Sequence, residues 1–89
     1  MNLDTKQAVA LAKSWVADQL AAEGIHDIGL EEVKFENGYW NITIGFSRPW
    51  DRNNLAILAG GRGSARSYKV ILISDEKMEV VEMRNREAA

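Results

Sequence analysis

EEVKFENGYWNITIGF, residues 31–46, decides the fold, because apolar and polar residues alternate along it on both sides of a turn. Asn37-Gly38 predicts a two-residue type I′ turn, in which both central positions need a positive φ. The hairpin, over 30–47, then has one apolar and one polar face. The apolar face pairs Phe35 with Trp40 and Val33 with Ile42, and continues to Ile44 and Phe46; the polar face carries Glu32, Lys34, Asn41 and Thr43.

RSYKVILISDEKMEVVEMR, residues 66–84, predicts a second hairpin over 67–84 that is apolar on both faces. With Asp75-Glu76 as its turn, Lys69 stands opposite Glu82, whereas a four-residue turn would shift the partners. One helix covers one face of a sheet, so the surplus apolar face must meet the 47–67 loop, a second copy of the chain or another protein. Tyr68, Val70, Leu72, Val81 and Met83 share one face; Ile71, Ile73, Met78 and Val80 share the other, which we predict as an interface.

An alanine-rich segment, residues 4–23, predicts one helix in front of these hairpins. Asp4 is its N-cap and Gln7 completes a capping box, while Gly24 suits the left-handed residue after a helix. The apolar stripe is Ala8, Leu11, Ala12, Trp15, Val16 and Leu20. The predicted fold is therefore α+β, a single domain over 1–89. Its N-terminal helix packs on a four-stranded antiparallel meander (α-β-β-β-β), with a long loop at 47–67 and a tail at 85–89.

The order of elements resembles the small cystatin-like and PepSY-like modules. The resemblance rests on the helix that ends at Gly24, the hairpin VKFENGYWNI (33–42) and the pair YKVILISDEKMEVVEM (68–83). It implies a helix lying across a curved antiparallel sheet. The glutamine–valine–glycine hairpin of inhibitory cystatins is replaced here by LAILAGGRG (55–63), so the resemblance implies neither protease inhibition nor any site residue.

Composition predicts a soluble globular protein, with 46% hydrophobic and 27% charged residues. A net charge of −2 disfavours a protein that coats nucleic acid. Cysteine is absent, which excludes disulfides and thiolate zinc sites. Asp4, Lys6 and Lys13 interrupt any signal-peptide core, and no stretch is long enough to cross a membrane, so we expect a cytoplasmic protein without membrane contact.

Catalytic and metal sites have little support in the sequence. His26 next to Asp27 is a common neighbour pair, and no serine lies in a nucleophile motif. Glu31, Glu32 and Glu36 lie on a strand and do not all share a face. We therefore predict a non-enzymatic protein with no catalytic residue, no metal and no cofactor.

The 47–67 loop is the predicted binding segment, because it holds four of the six arginines and Asp51 as its one acidic residue. Arginine binds carboxylates and phosphates with paired hydrogen bonds, and an exposed tryptophan often anchors an interface. The predicted binding residues are Arg48, Trp50, Arg52, Arg62 and Arg66. An acidic protein partner and a homodimer are both compatible with this composition. A phosphate ligand, nucleic acid and an inert connection remain as alternatives.

Overall fold

One helix followed by four antiparallel strands forms the protein, as the sequence predicts. The computed structural model describes residues 1–49 and 66–86. The elements are α1 (Thr5–Gln19), a 3₁₀ turn (Ala21–Glu23), β1 (His26–Glu36), β2 (Tyr39–Ser47), β3 (Ser67–Ser74) and β4 (Glu79–Asn85). The strands lie side by side in chain order, β1-β2-β3-β4, and each pairs antiparallel with the next. Both hairpin turns therefore lie at one end of the sheet, and the connection between β2 and β3 leaves from the other.

The predicted capping box begins α1. The Asp4 carboxylate accepts a hydrogen bond from the Gln7 backbone N–H at 2.7 Å, and the Gln7 side chain accepts one from the Asp4 N–H at 2.9 Å. The helix ends at Gln19, earlier than predicted, because the chain tightens into a 3₁₀ turn before Gly24 at φ +64°. Ala8 and Ala12 let α1 lie close against the sheet, and Val16 and, directly after the helix, Leu20 are buried on the same side.

The first hairpin has the predicted turn and register. Asn37 and Gly38 adopt φ of +53° and +79°, as a type I′ turn requires. Phe35 pairs with Trp40, their ring centroids 4.7 Å apart, and Val33 pairs with Ile42. β1 begins earlier than the predicted 30, at His26, because the segment after Gly24 pairs with the end of β2.

The second hairpin has the four-residue turn that the sequence left as an alternative, which corrects the two-residue turn at Asp75-Glu76. Ser74 pairs with Glu79 across a turn of four residues, and Lys69 lies opposite Asn85 instead of Glu82. A hydrogen bond favours the longer turn: the Ser74 hydroxyl accepts from the Lys77 N–H at 3.1 Å. Met78, the last residue of the turn, takes a positive φ of 54°, which is unfavourable for a residue with a Cβ. A bulge between the pairs of Leu72 and Ile73 then shifts the rest of β4.

The first residue of the longer turn, Asp75, has a buried carboxylate that binds the N-terminal segment. Asp75 accepts hydrogen bonds from the Leu3 N–H at 2.9 Å, the Asn2 N–H at 2.7 Å and the Trp40 indole N–H at 3.1 Å. The backbone donors of Leu3 and Asn2, with a smaller contribution from Trp40, hold the pKa of Asp75 below its ordinary value. This carboxylate thus joins the segment before α1 to both hairpins.

The core lies between α1 and one face of the sheet, and it includes two residues that we predicted as an interface. Ile71 pairs with Ile42, and Ile73 pairs with Trp40, so both point toward the helix and are fully buried. They form no exposed surface, which corrects the prediction for this pair. Val80 is half-buried against the same core, and Met78 is exposed in the turn. The fully buried members of the core, besides the alanines, are Val16, Ile42, Ile44, Phe46, Ile71 and Ile73.

Candidate functional site on the outer face of the sheet

The sheet face turned away from α1 is covered by no element of residues 1–49 and 66–86. Cross-strand pairing arranges this outer face in rows that run across all four strands. We define the outer face by two central rows, Glu32–Thr43–Val70–Arg84 and Lys34–Asn41–Leu72–Glu82, and by the row at the loop end, Gly45–Tyr68–Arg86. Glu31, the unpaired residue at the bulge of β1, places its carboxylate beside Gly45 and completes that row.

An apolar stripe on β3 forms the middle of the outer face. Tyr68, Val70 and Leu72 succeed each other on this side of the strand, and all three are half-buried. The Arg86 guanidinium lies 5.5 Å from the centre of the Tyr68 ring, a cation–π contact at one end of the stripe. Because the partly covered side chains still expose apolar surface to water, contact with another surface would bury it favourably.

Charged residues of both signs lie on the two edge strands of the outer face. On β4, Arg84 donates to Glu82 at 3.3 Å and to the Asn41 side chain at 3.5 Å. On β1, the Lys34 ammonium lies 3.5 Å from Glu36. These pairs are about half exposed, so water screens them and they contribute little to stability. Their side chains are therefore available to exchange partners at an interface.

A shallow groove of about 260 Å³ runs between the two edges. Its walls are Glu32, Lys34, Glu36, Asn41, Thr43, Val70, Arg84 and Arg86. Within residues 1–49 and 66–86, no three histidine or acidic side chains come together as metal ligands. The groove is thus shallow and mostly polar, with Val70 as its apolar residue, and it adjoins the apolar stripe of β3.

Arg66, one of the predicted binding residues, reaches the outer face at the loop end. Its Nη2 donates to the Asp27 carbonyl at 2.7 Å and lies 3.9 Å from a Glu31 oxygen. Gly45 makes room for this contact, because a Cβ there would lie 2.9 Å from the Glu31 carboxylate and 3.1 Å from the Arg66 guanidinium. Contacts with β1 therefore hold the Arg66 side chain across β2, on the outer face.

Arg48, at the other end of the same connection, lies on the helix side. Its Nε donates to Glu23 at 2.7 Å and its Nη1 to the Ser67 hydroxyl at 2.8 Å, while the guanidinium lies 5.1 Å from the centre of the Phe46 ring. Arg48 thus fastens the segment after α1 to the start of β3. The structure does not bring Arg48 and Arg66 together on one surface. Trp50, Arg52 and Arg62 lie outside the described residues.

His26 offers no recognisable chemistry. Its Nε2 is buried without a hydrogen-bond partner and lies 3.7 Å from the Asp27 carboxylate. Ser67, on the adjoining end of β3, accepts from Arg48. No arrangement of base and nucleophile is formed by the residues that the structure describes at this end of the sheet.

Comparison with protein-family models, curated proteins and solved structures gives no match for this chain. The resemblance to cystatin-like and PepSY-like modules therefore stays a prediction. No helix in the described part of the chain is long and apolar enough to span a membrane. The sequence placed Tyr68, Val70 and Leu72 on one face with Val81 and Met83, but Met83 pairs with Ile71 and packs on the core side. It did not indicate that Tyr68, Val70 and Leu72 lie on the face turned away from α1.

Proposed function

We propose that this chain is a small, non-enzymatic protein-binding module and that the outer face is its contact surface. One observation carries the proposal: α1 covers one side of the sheet, while the apolar stripe Tyr68, Val70 and Leu72 lies on the other side among charged residues. An apolar centre with a polar rim is the usual composition of a protein–protein interface.

The mixture of charges favours a protein partner over nucleic acid. Four basic side chains belong to the described part of this surface, and four acidic ones lie among them: Lys34, Arg66, Arg84 and Arg86 against Glu31, Glu32, Glu36 and Glu82. A phosphate backbone would be repelled by this acidic set. Arg48 and Arg66 are also engaged with acceptors of their own chain, which weakens the alternative of phosphate binding.

The rest of the loop extends the proposal. Trp50, Arg52 and Arg62 are still predicted to bind an acidic partner, and Arg66 joins their segment to the outer face. This contribution is tested with Arg52→Ala/Arg62→Ala, which removes two positive charges. The matched control is Lys6→Ala/Lys77→Ala, which removes two exposed positive charges outside the loop. Weaker capture of a partner by the loop variant alone would support an acidic partner.

Leu72→Glu tests the outer face directly. The tagged chain is cross-linked in lysate of its host, with and without nuclease, and captured proteins are identified by mass spectrometry. Leu30→Glu is the matched control, because Leu30 is an exposed leucine on the helix side of the sheet. Circular dichroism confirms that both variants fold.

A protein captured by the wild type and by Leu30→Glu, but lost with Leu72→Glu, is the expected result. Capture that survives in Leu72→Glu would contradict the proposed surface. Capture that nuclease abolishes would instead support the nucleic-acid alternative.

A further inference from the structure

We infer that the partner for the outer face is a second copy of this chain, packed face to face about a two-fold axis, and we take an axis parallel to the strands as the arrangement to test. The inference rests on the proposed function and names its partner. Its basis is the order of charges along the rows. The row that begins with Glu32 on β1 ends with Arg84 on β4, and the next row begins with Lys34 and ends with Glu82.

A two-fold axis parallel to the strands reverses the order of the strands and keeps each residue at its level. In two sheets related in this way, β1 of one copy lies over β4 of the other. Glu32 then faces Arg84 of the second copy, and Lys34 faces Glu82 of the second copy. Each of these contacts occurs twice, because a two-fold interface is the same patch on both partners.

The row at the loop end follows the same rule. Glu31 lies at its β1 side and Arg86 at its β4 side, so the same axis brings these two opposite charges together. At the turn end, Glu36 comes near Glu79 of the second copy, at the solvent-exposed rim of the contact where like charges repel weakly.

A two-fold axis perpendicular to the strands is the competing arrangement. It would set Glu32 over Lys34 of the second copy and Arg84 over Glu82, which also pairs opposite charges. It would also place Glu31 over Glu36 of the second copy, a like-charge contact, Arg86 over Glu79, an opposite-charge contact, and Val70 over Leu72. Exchanging Glu32 with Arg84 separates the two arrangements, because the parallel axis tolerates the exchange and the perpendicular axis does not.

The centre of the same arrangement buries the apolar stripe. β2 and β3 of one copy lie over β3 and β2 of the other, so Val70 meets Thr43 and Leu72 meets Asn41, with the two stripes adjoining across the axis. Two sheets pack in this manner about 10 Å apart with their strands within about 30° of each other. The surface that the helix leaves uncovered is thereby removed from water.

Charge reversal on the full chain tests the inference by sedimentation velocity over a range of concentrations. The variants are Glu32→Arg, Arg84→Glu and the double variant that carries both. Asp18→Arg, an exposed charge reversal on α1, is the control. The wild type and Asp18→Arg are expected to form dimers. Each single variant replaces two attractive contacts by two repulsive ones, which raises the dimer dissociation constant at least about tenfold.

Recovery of dimer formation in the double variant distinguishes this geometry from a general loss of affinity. The double variant restores opposite charges in every Glu32–Arg84 contact and is expected to dimerise like the wild type. A mixture of the two single variants is expected to form a heterodimer. A monomeric wild type would overturn the inference, and a double variant weaker than either single variant would exclude the parallel axis and support the perpendicular one. If the wild type is monomeric but Leu72→Glu still abolishes capture, the proposed binding face stands and the second copy is excluded as its partner.

Discussion

Ile73→Ala and Leu72→Ala provide a matched test of which side of β3 is covered. The two residues are neighbours, and their side chains have four carbons each. Ile73 is fully buried against Trp40 and Val80, whereas Leu72 is half-buried on the outer face. The same loss of carbon atoms should therefore have very different effects on the free energy of unfolding.

The expected magnitudes follow from burial. Truncating Ile73 removes three buried carbon groups at about 0.8 kcal/mol each and leaves a cavity, for a total of about 2.5–4 kcal/mol. Truncating Leu72 removes surface that is partly in water in the monomer, for a cost of about 1 kcal/mol. In a domain of this size, each kcal/mol lowers Tm by roughly 4–8 °C.

Urea unfolding followed by circular dichroism measures both variants, in a Glu32→Arg background so that dimer formation does not contribute. A Leu72 variant that loses as much stability as the Ile73 variant would refute the assignment of faces. It would mean that another part of the chain, such as the loop between β2 and β3, covers Leu72.

Three further perturbations test the contacts that hold the sheet. The pKa of Asp75 is lowered in the folded protein, so this carboxylate stabilises the fold above its ordinary pKa of 3.8. The stabilisation is lost as the pH falls through the lower pKa of the folded state. The Tm of Asp75→Asn, measured from about pH 5 to about pH 2, should therefore change less with pH than the Tm of the wild type. Gly45→Ala should keep the fold but displace the Arg66 guanidinium, seen as a shift of its side-chain Nε–H signal by NMR; an unmoved signal would show that the contact is not formed. Arg48→Met should lower the free energy of unfolding, measured with urea, by about 1–2 kcal/mol. Glu23→Gln should lower it less, because the glutamine amide oxygen still accepts the hydrogen bond from Arg48. Equal losses would mean that the charge of Glu23, and not its hydrogen bond, stabilises this contact.

The sequence predicts local features of this fold well and long-range ones poorly. The Asn37-Gly38 turn and the Asp4–Gln7 capping box depend on residues a few positions apart, and both are confirmed. The sequence left two lengths open for the turn at Asp75 and favoured the shorter one, which is wrong, because the main partners of Asp75, Asn2 and Leu3, lie at the other end of the chain. Turn preferences depend on neighbouring residues alone and therefore do not include such long-range contacts.

The sequence predicts which residues of β3 share a face, but, for a related reason, it does not predict which of the two faces the helix covers. Alternation assigns the residues of β3 to two faces, but both faces are apolar, so alternation cannot say which one the helix covers. The pairing of Ile71 with Ile42 decides it, because β2 has one clearly apolar face. The order of charges across the sheet depends on the same registers and becomes visible only when all four strands are aligned.

Because the chain is small, the presence of apolar residues on both faces of β3 affects the stability of the fold. A chain of 89 residues buries a modest core, and helix α1 supplies cover for one face of the sheet. If the second face is covered by another copy, folding and association are coupled, and the stability of the native state rises with protein concentration. Tm of the wild type should then increase as the protein is concentrated, while Tm of Glu32→Arg should stay constant. A constant Tm in both would mean that the core beneath α1 alone accounts for the stability of the fold.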